Sequence, residues 1–375
     1  MPTKRRSRNT SSRQWPKNLL ARLRAVRQKI ADSRADALLV VNPVDIRYLT
    51  DFPGEDAWMV VTNRTVVILS DTRFKEELDR DHAYARSVMR KATLSEEVAK
   101  VVKGQKIKRL AFQADYTTVT QRDALAKHVG ASKLRAISGW LIKQRAIKDD
   151  NELKLIRKAI GIQQKAFEQL RSQIKPGMTE KQVAAQLEYN MRCLGADGPS
   201  FPTIVGFGAN SSINHYLPGD VKLKKNQPIL IDFGALYRGY CSDMTRVLVI
   251  GKFQKKIAEI YRIVREAMAA GIDAIKPGVE LAEIDSIARN LIKQAGFAKR
   301  FGHGLGHGIG LDIHEEPRLG AKAKGVLEPG QVVTVEPGIY LPGIGGVRLE
   351  NDVLVTKNGH RDLCDLPTDL ESAMI

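Results

Sequence analysis

The tetrapeptide Ile-Lys-Pro-Gly occurs twice, at residues 174–177 and 275–278, and each copy separates two stretches with the same pattern. Ahead of the first copy, Leu153, Ile156, Ile160, Phe167, Leu170 and Ile174 fall on one face of a long helix that Asp149 or Asp150 can cap. Pro176 and Gly177 cannot continue that helix. Thr179 caps a second one, "EKQVAAQLEYNMRCL", which ends at Gly195. The order recurs about a hundred residues later, with "IAEIYRIVREAMAAGIDA" before the second copy and "ELAEIDSIARNLIKQAG" after it. Strand-like segments then match as well: "LKKNQPILIDFG" with "LEPGQVVTVEPG", and "YCSDMTRVLVI" with "GVRLENDVLVT". Residues 146–375 therefore read as an internal duplication of a helix, helix and sheet unit. Neither strand set carries a second apolar layer, so the two halves are expected to share one core.

Matching the halves puts Asp232 with Glu336, Asp243 with Glu350, and His215 with His314. A pseudo-twofold arrangement would bring the four carboxylates to one central place. In "PILIDFG" and "QVVTVEPG" the acid interrupts a β-branched apolar run, which directs it to a sheet interior or a cleft. Four such acids, with no Lys or Arg matched to them in the same strands, would repel one another strongly at neutral pH. Two divalent cations would balance them.

A further ligand lies in "FGHGLGHGIGLDIHEEP", residues 301–317, which holds His303, His307 and His314. Its glycines each cost ~1 kcal/mol in a helix relative to Ala, so the backbone is expected to be extended or looped and to pass close to something. His307 offers a nitrogen ligand there, where missing side chains leave room. Oxygen-rich ligation with one imidazole and no thiolate fits Mn2+ or Co2+ and tolerates Zn2+ or Fe2+. A two-metal site that activates water is the hydrolytic reading. Taken singly, a strand Asp is usually a surface residue and a His near glycines is usually structural. The recurrence of acids at matching places is what argues for a site.

Upstream, residues 18–145 alternate helix and strand as an α/β domain does. Leu19, Leu20, Leu23, Val26 and Ile30 mark a helix over 18–33, "DALLVVNP" and "KRLAFQ" read as strands, and "WMVVTNRTVVILS" as two strands around a turn at Asn63 and Arg64. The boundary falls near "AIKDDNE". Residues 1–17 read as a disordered basic tail. The net charge is +18, and the first 30 residues hold ten Lys or Arg and no acid, so the excess is mostly a property of that end. A solvated arm is the expectation, with nucleic-acid contact through the tail as the lesser alternative. No apolar run is long enough for a membrane span and the N-terminus lacks the apolar core of a secretory signal, so a cytoplasmic address without membrane contact is expected. Cys193, Cys241 and Cys364 are odd in number and widely spaced, which suits reduced thiols. Cys193 reads as core, and Cys241 as packing on the strand face that carries Asp243.

The segments "NSSINHYLPGD", "ILIDFGALYRGYCSDMTR", "GHGLGHGIGLDIHEEP" and "TVEPGIYLPGIGGVRLEND" resemble the motifs of the pita-bread metallopeptidases, in the Xaa-Pro aminopeptidase (aminopeptidase P) and prolidase group. "RADALLVVNPVDIRYLTDF" resembles the creatinase-type N-terminal domain of the same proteins. The resemblance implies a creatinase-like α/β domain followed by a duplicated pita-bread catalytic domain. It makes Asp232, Asp243, His307, Glu336 and Glu350 the ligands of two metal ions. It makes His215, His303 and His314 substrate and transition-state histidines, with Arg348 supporting site and substrate. Glu336 is then the candidate general base, His314 the donor to the developing oxyanion, and the substrates short peptides with proline in the second position. A homodimer is also implied.

Methionine aminopeptidases resemble only the C-terminal half, and creatinase lacks the metal ligands, so both fit less well. A non-catalytic protein- or RNA-binding module is the reading that the positive charge encourages, but it has no use for four clustered acids. Between Xaa-Pro dipeptidase and Xaa-Pro aminopeptidase, the short linker from Glu336 to Glu350 favours the dipeptidase.

Overall fold

The structure, a computed structural model, describes residues 14–375. It divides into two compact units, one ending at Leu141 and one spanning Ile142–Ile375.

In the first unit the strands are β1 (Ala37–Val40), β2 (Trp58–Thr62), β3 (Val66–Ser70), β4 (Arg86–Met89), β5 (Leu110–Gln113) and β6 (Leu134–Ile137). They form one mixed sheet in the order β4-β3-β2-β1-β5-β6. The β2–β3 hairpin turns at Asn63 and Arg64, closed by the Thr65 amide donating to the Thr62 hydroxyl at 2.9 Å. Helices α1 (Lys17–Asp32), α2 (Pro43–Thr50), α3 (Lys75–Asp81), α4 (Leu94–Gly104) and α5 (Val119–Leu125) belong to this unit, and α6 (Trp140–Ala146) crosses the division. Leu19, Leu23, Val26 and Ile30 are buried along α1 as their spacing demands. Residues 1–13 of the basic tail lie outside the described residues. The tail expected over 1–17 is too long at its C-terminal end: the Trp15 ring packs 4.6 Å from that of Tyr84, and α1 begins at Lys17. An aromatic side chain gains more by burying its surface there than a solvated arm would.

The second unit contains the duplication. Helices α7 (Asp150–Gln173) and α8 (Glu180–Cys193) form the first pair, and α9 (Lys255–Asp273) and α10 (Leu281–Gln294) the second. Asp149 and Thr179 cap α7 and α8 through capping boxes with Glu152 and Gln182. Each Ile-Lys-Pro-Gly turn closes alike: the Gly177 amide donates to the Leu223 carbonyl and the Gly278 amide to the Leu327 carbonyl, both at 2.9 Å. Both glycines have positive φ, +91° and +83°, which a side chain would strain.

The strands of the first half are β7 (Gly198–Pro199), β8 (Ile204–Phe207), β9 (Ile229–Phe233), β10 (Ala235–Tyr237), β11 (Tyr240–Cys241) and β12 (Met244–Leu248). Those of the second are β13 (Gly306–Gly308), β14 (Glu315–Leu319), β15 (Val332–Val335), β16 (Gly338–Leu341), β17 (Gly345–Arg348), β18 (Asn351–Val355) and β19 (His360–Asp362). The main sheets run β12-β9-β8 and β14-β13-β15-β18-β19, with β16 and β17 as a ribbon.

The two halves do share a core, as expected, but the first half adds a further apolar cluster, which corrects the expectation of a single one. Val205, Phe207, Ile229, Ile231 and Phe233 pack against α7 and α8 in one cluster. Ile204, Leu230 and Val247 belong instead to a second cluster with α9, α10, β15 and β18. The first sheet is thus apolar on both faces, which is why its strands read as continuous hydrophobic runs. Cys193 is exposed on α8 rather than in the core, because the buried face of that helix runs through Val183, Leu187 and Met191.

Candidate metal centre

Strand ends supply the acids. Asp232 lies on β9, Asp243 immediately precedes β12, Glu336 follows β15 and Glu350 precedes β18, so the duplicated sheets deliver equivalent positions to one place. His307 is the middle residue of β13. A Cβ on neighbouring Gly306 would stand 1.9 Å from the Thr334 carbonyl oxygen, which identifies β15 as what the glycine-rich backbone passes close to. Asp232, Asp243, His303, His307, His314, Glu336, Arg348 and Glu350 all line one cavity of about 540 Å3 with His215.

Within that cavity, ligating atoms of Asp243, His307 and Glu350 lie within 4.8 Å of one another. His307 Nε2 is 3.5 Å from Glu336 Oε1 and 3.8 Å from Asp243 Oδ2. Its Nδ1 is 3.0 Å from the Gly308 carbonyl, which can only accept, so Nδ1 carries the proton and Nε2 turns a lone pair to the acids. Burial pushes the His307 imidazole down to about 3, which keeps it neutral. The His314 ring stands edge-on to it, centroids 4.4 Å apart, and its own pKa is lowered chiefly by burial.

The acids are too crowded to be ionised together. Burial, then Glu350 and Asp232, raise Asp243 well above the usual carboxylate range. Glu336 is raised by burial and Glu350 against the opposing charge of Arg348. Glu350 is pushed up to about 8 by burial and Asp232. Buried Oδ1 atoms of Asp232 and Asp243 have no hydrogen-bond partner. Unpartnered carboxylate oxygens, a neutral imidazole and mutual repulsion are the donor set that a divalent cation satisfies.

The absence of matching cations in these strands is corrected. Arg348, at the end of β17, donates through Nη2 to Asp232 Oδ2, through Nη1 to the Tyr340 hydroxyl at 2.9 Å and through Nε to the Thr245 hydroxyl at 3.0 Å. Arg246, on β12 itself, donates to the Glu350 carbonyl at 2.7 Å and to Asn351 Oδ1 at 2.8 Å. Neither arginine reaches all four acids, so most of the repulsion remains. His303 Nδ1 donates to the Gly304 carbonyl at 2.8 Å, leaving Nε2 to accept from Tyr340 at 2.9 Å. Asp232, Arg348, Tyr340 and His303 therefore form one chain. His215 is exposed on the loop after β8.

Tyr340, Thr245 and Asp352 escape the sequence reading. Thr245 stands two residues after Asp243 on one strand face, a signal that strand periodicity contains. Asp352, fully buried, accepts the Asp243 amide at 3.0 Å. Glu315, beside His314, is held by Arg145 at 2.5 Å and Lys148 at 3.1 Å, contacts with no sequence signal. Cys241 is buried, 4.0 Å from the Leu311 carbonyl, as packing requires.

Residues 154–357 match the profile of metallopeptidase family M24. The chain belongs to that family. Ahead of the M24 region, residues 22–147 match the creatinase/prolidase N-terminal domain, so the architecture is a creatinase-like domain followed by a pita-bread catalytic domain. The M24 chain is 35% identical over 338 residues to an Xaa-Pro dipeptidase of Pyrococcus horikoshii, covering 89% of this chain and 94% of the relative. An Xaa-Pro dipeptidase from Bacillus anthracis superposes with a TM-score of 0.91 at 36% identity, covering 96% of this chain and 100% of that one. An X-Pro aminopeptidase from Thermotoga maritima superposes at 0.88 and 33%, covering 94% and 99%. This M24 protein is a metallopeptidase. Among the described residues no helix is long and apolar enough to cross a membrane.

Proposed function

We propose that this metallopeptidase hydrolyses the Xaa-Pro bond at the N-terminus of short peptides, as an Xaa-Pro dipeptidase, with Xaa-Pro aminopeptidase as the second reading. The observation that carries the proposal is the convergence of five ligand-type side chains and three histidines on one cavity. The Pyrococcus and Bacillus dipeptidases support the substrate class. The Thermotoga aminopeptidase keeps the second reading alive.

Asp232, Asp243, His307, Glu336 and Glu350 would hold two divalent ions, Mn2+ being our choice, with Co2+ or Zn2+ as substitutes. Such ions supply Lewis acidity and lower the pKa of water toward neutrality. Glu336 takes the proton of the attacking water and delivers it to the leaving nitrogen. That nitrogen is proline's, a tertiary amide before cleavage, so it cannot leave unprotonated. His314, neutral through burial, donates to the developing oxyanion. His215 and His303 position the peptide, and Arg348 supports substrate and site. Arg348 is anchored through Tyr340 and Thr245, so its guanidinium is oriented before substrate arrives. We further propose a division of the chain at residues 145/146, a homodimer and a cytoplasmic address.

The test is proline release from Ala-Pro beside cleavage of Ala-Pro-Ala, with chelator-stripped protein refilled with Mn2+. Cleavage of the dipeptide alone supports a dipeptidase. Comparable or faster tripeptide cleavage makes it an aminopeptidase. No cleavage with any divalent ion sinks the proposal and favours a binding module.

A further inference from the structure

Glu180, the first residue of α8, is fully buried and lines no part of the metal cavity. Each of its oxygens holds one limb of the loop between Phe207 and Gly219. Oε1 accepts the Phe207 amide at 2.8 Å and the Asn210 side chain at 2.9 Å. Oε2 accepts the Tyr216 hydroxyl at 2.8 Å and the Gly219 amide at 2.9 Å. Asn210 also donates to the Tyr216 hydroxyl at 2.8 Å, joining the limbs to each other. Bonds to a carboxylate are stronger than neutral ones, so this is a firm closure at the base of the loop.

What the closure presents is one wall of the cavity: Asn214, His215, Tyr216 and Leu217 all line it. His215 and Leu217 are exposed, so the loop tip gains little from packing of its own. On its other side the loop meets β17, where the Gly346 amide donates to the Ser211 hydroxyl at 2.8 Å, two residues before Arg348. The loop is thus held between Glu180 and the strand of Arg348.

The duplication provides an internal control. Thr179 bridges to Lys222 and Glu280 to Val326, which makes Leu281 the counterpart of Glu180. Leu281 is buried in the apolar cluster and accepts nothing through its side chain. The carboxylate is present in the half of His215; His314, its counterpart, also lines the cavity but sits beside Glu315, which Arg145 and Lys148 hold.

We propose that Glu180 is a positioning residue for peptide recognition, acting through the loop 207–219 to place His215 and the wall around it. It rests on the peptidase reading for its kinetic consequence, while its structural half stands without it. A misplacement of about 1 Å at such a wall can cost ~10²-fold in rate.

The test compares Glu180→Leu, the residue of the duplicate, with the milder Glu180→Gln and Tyr216→Phe in the metal-loaded full chain. Hydrogen exchange of residues 207–219 is expected to quicken in Glu180→Leu, with exchange in α9 and α10 and metal content unchanged. The value of kcat/KM on Ala-Pro is expected to fall ~10- to 100-fold, mostly through KM, and less in the two milder variants. Adding His215→Ala should cost little more than His215→Ala alone, because both act at one contact. Unchanged exchange in 207–219, lost metal, or fully additive losses with His215→Ala would overturn the proposal. If the unaltered protein cuts no Xaa-Pro peptide, the functional reading fails on its own, and the exchange data still judge the clamp.

Discussion

Thr245 meets Glu350 twice: its hydroxyl donates to the Glu350 carboxylate at 2.6 Å, and its carbonyl accepts the Glu350 amide at 3.2 Å. One residue from the first half of the duplication thereby orients an acid of the second. The bond favours the ionised carboxylate and opposes the burial that raises it. Thr245→Val should therefore raise the Glu350 pKa further and weaken divalent-metal affinity at pH 7 by ~10- to 100-fold, whereas Thr245→Ser should restore it. Metal titration with a competing chelator measures this, and equal affinity in Thr245→Val would show the bond to be immaterial.

Loading the site should release protons. Without cations, Glu350 at about 8 holds its proton at pH 7, and Asp243 and Glu336 are shifted the same way. Ligating carboxylates must be ionised, so affinity should rise with pH from 7 through the Glu350 value of about 8. Calorimetry in two buffers of different ionisation enthalpy should give different heats for the same Mn2+ titration. Identical heats would mean that the acids are already ionised.

Glu315 should make stability acid-sensitive. Burial pushes its carboxyl up, but the charges of Lys148 and Arg145 together overcome this, and its pKa ends below the usual value. A depressed folded pKa contributes stability that is complete above the unfolded value of about 4.3 and disappears as pH falls through the folded one. Glu315→Gln removes the anion that buried Lys148 pairs with and one of the carboxylates that hold Arg145, whose bond to Asp312 remains, so at pH 7 it should destabilise by ~3–5 kcal/mol. That deficit should shrink below about pH 4.3. Denaturant midpoints of metal-stripped protein at pH 7 and pH 4 test this; a constant gap would remove Glu315 as the cause.

His314→Ala should lower kcat by ~10²–10³ while metal content stays at the level of the unaltered protein. Metal analysis beside kinetics separates the roles: lost metal would make His314 a ligand instead of a donor.

Repetition makes much of this site legible. Asp232 and Glu336 interrupt apolar strands at matching places, and that recurrence needs no coordinates to be seen. The helices and their caps are equally local, since Asp149 and Thr179 bond amides two or three residues away. The glycines around His307 announce close approach but not its partner, Thr334, which lies on another strand.

What escapes the sequence are pairings across long chain separations. Arg348 is carried to Asp232 from 116 residues away, and Arg145 to Glu315 from 170. Tyr340 reaches His303 across 37 residues. Period and composition report the surroundings of a residue averaged along the chain. Which acid meets which arginine depends on how two separately predictable halves pack, and that is decided by the burial of apolar faces far from the charges themselves. The chain by itself therefore determined the elements and the kinds of ligand. Only the tertiary structure decided that Asp232 faces Arg348 while Asp243, His307 and Glu350 converge, because buried charges take their partners from whatever the packing brings within reach.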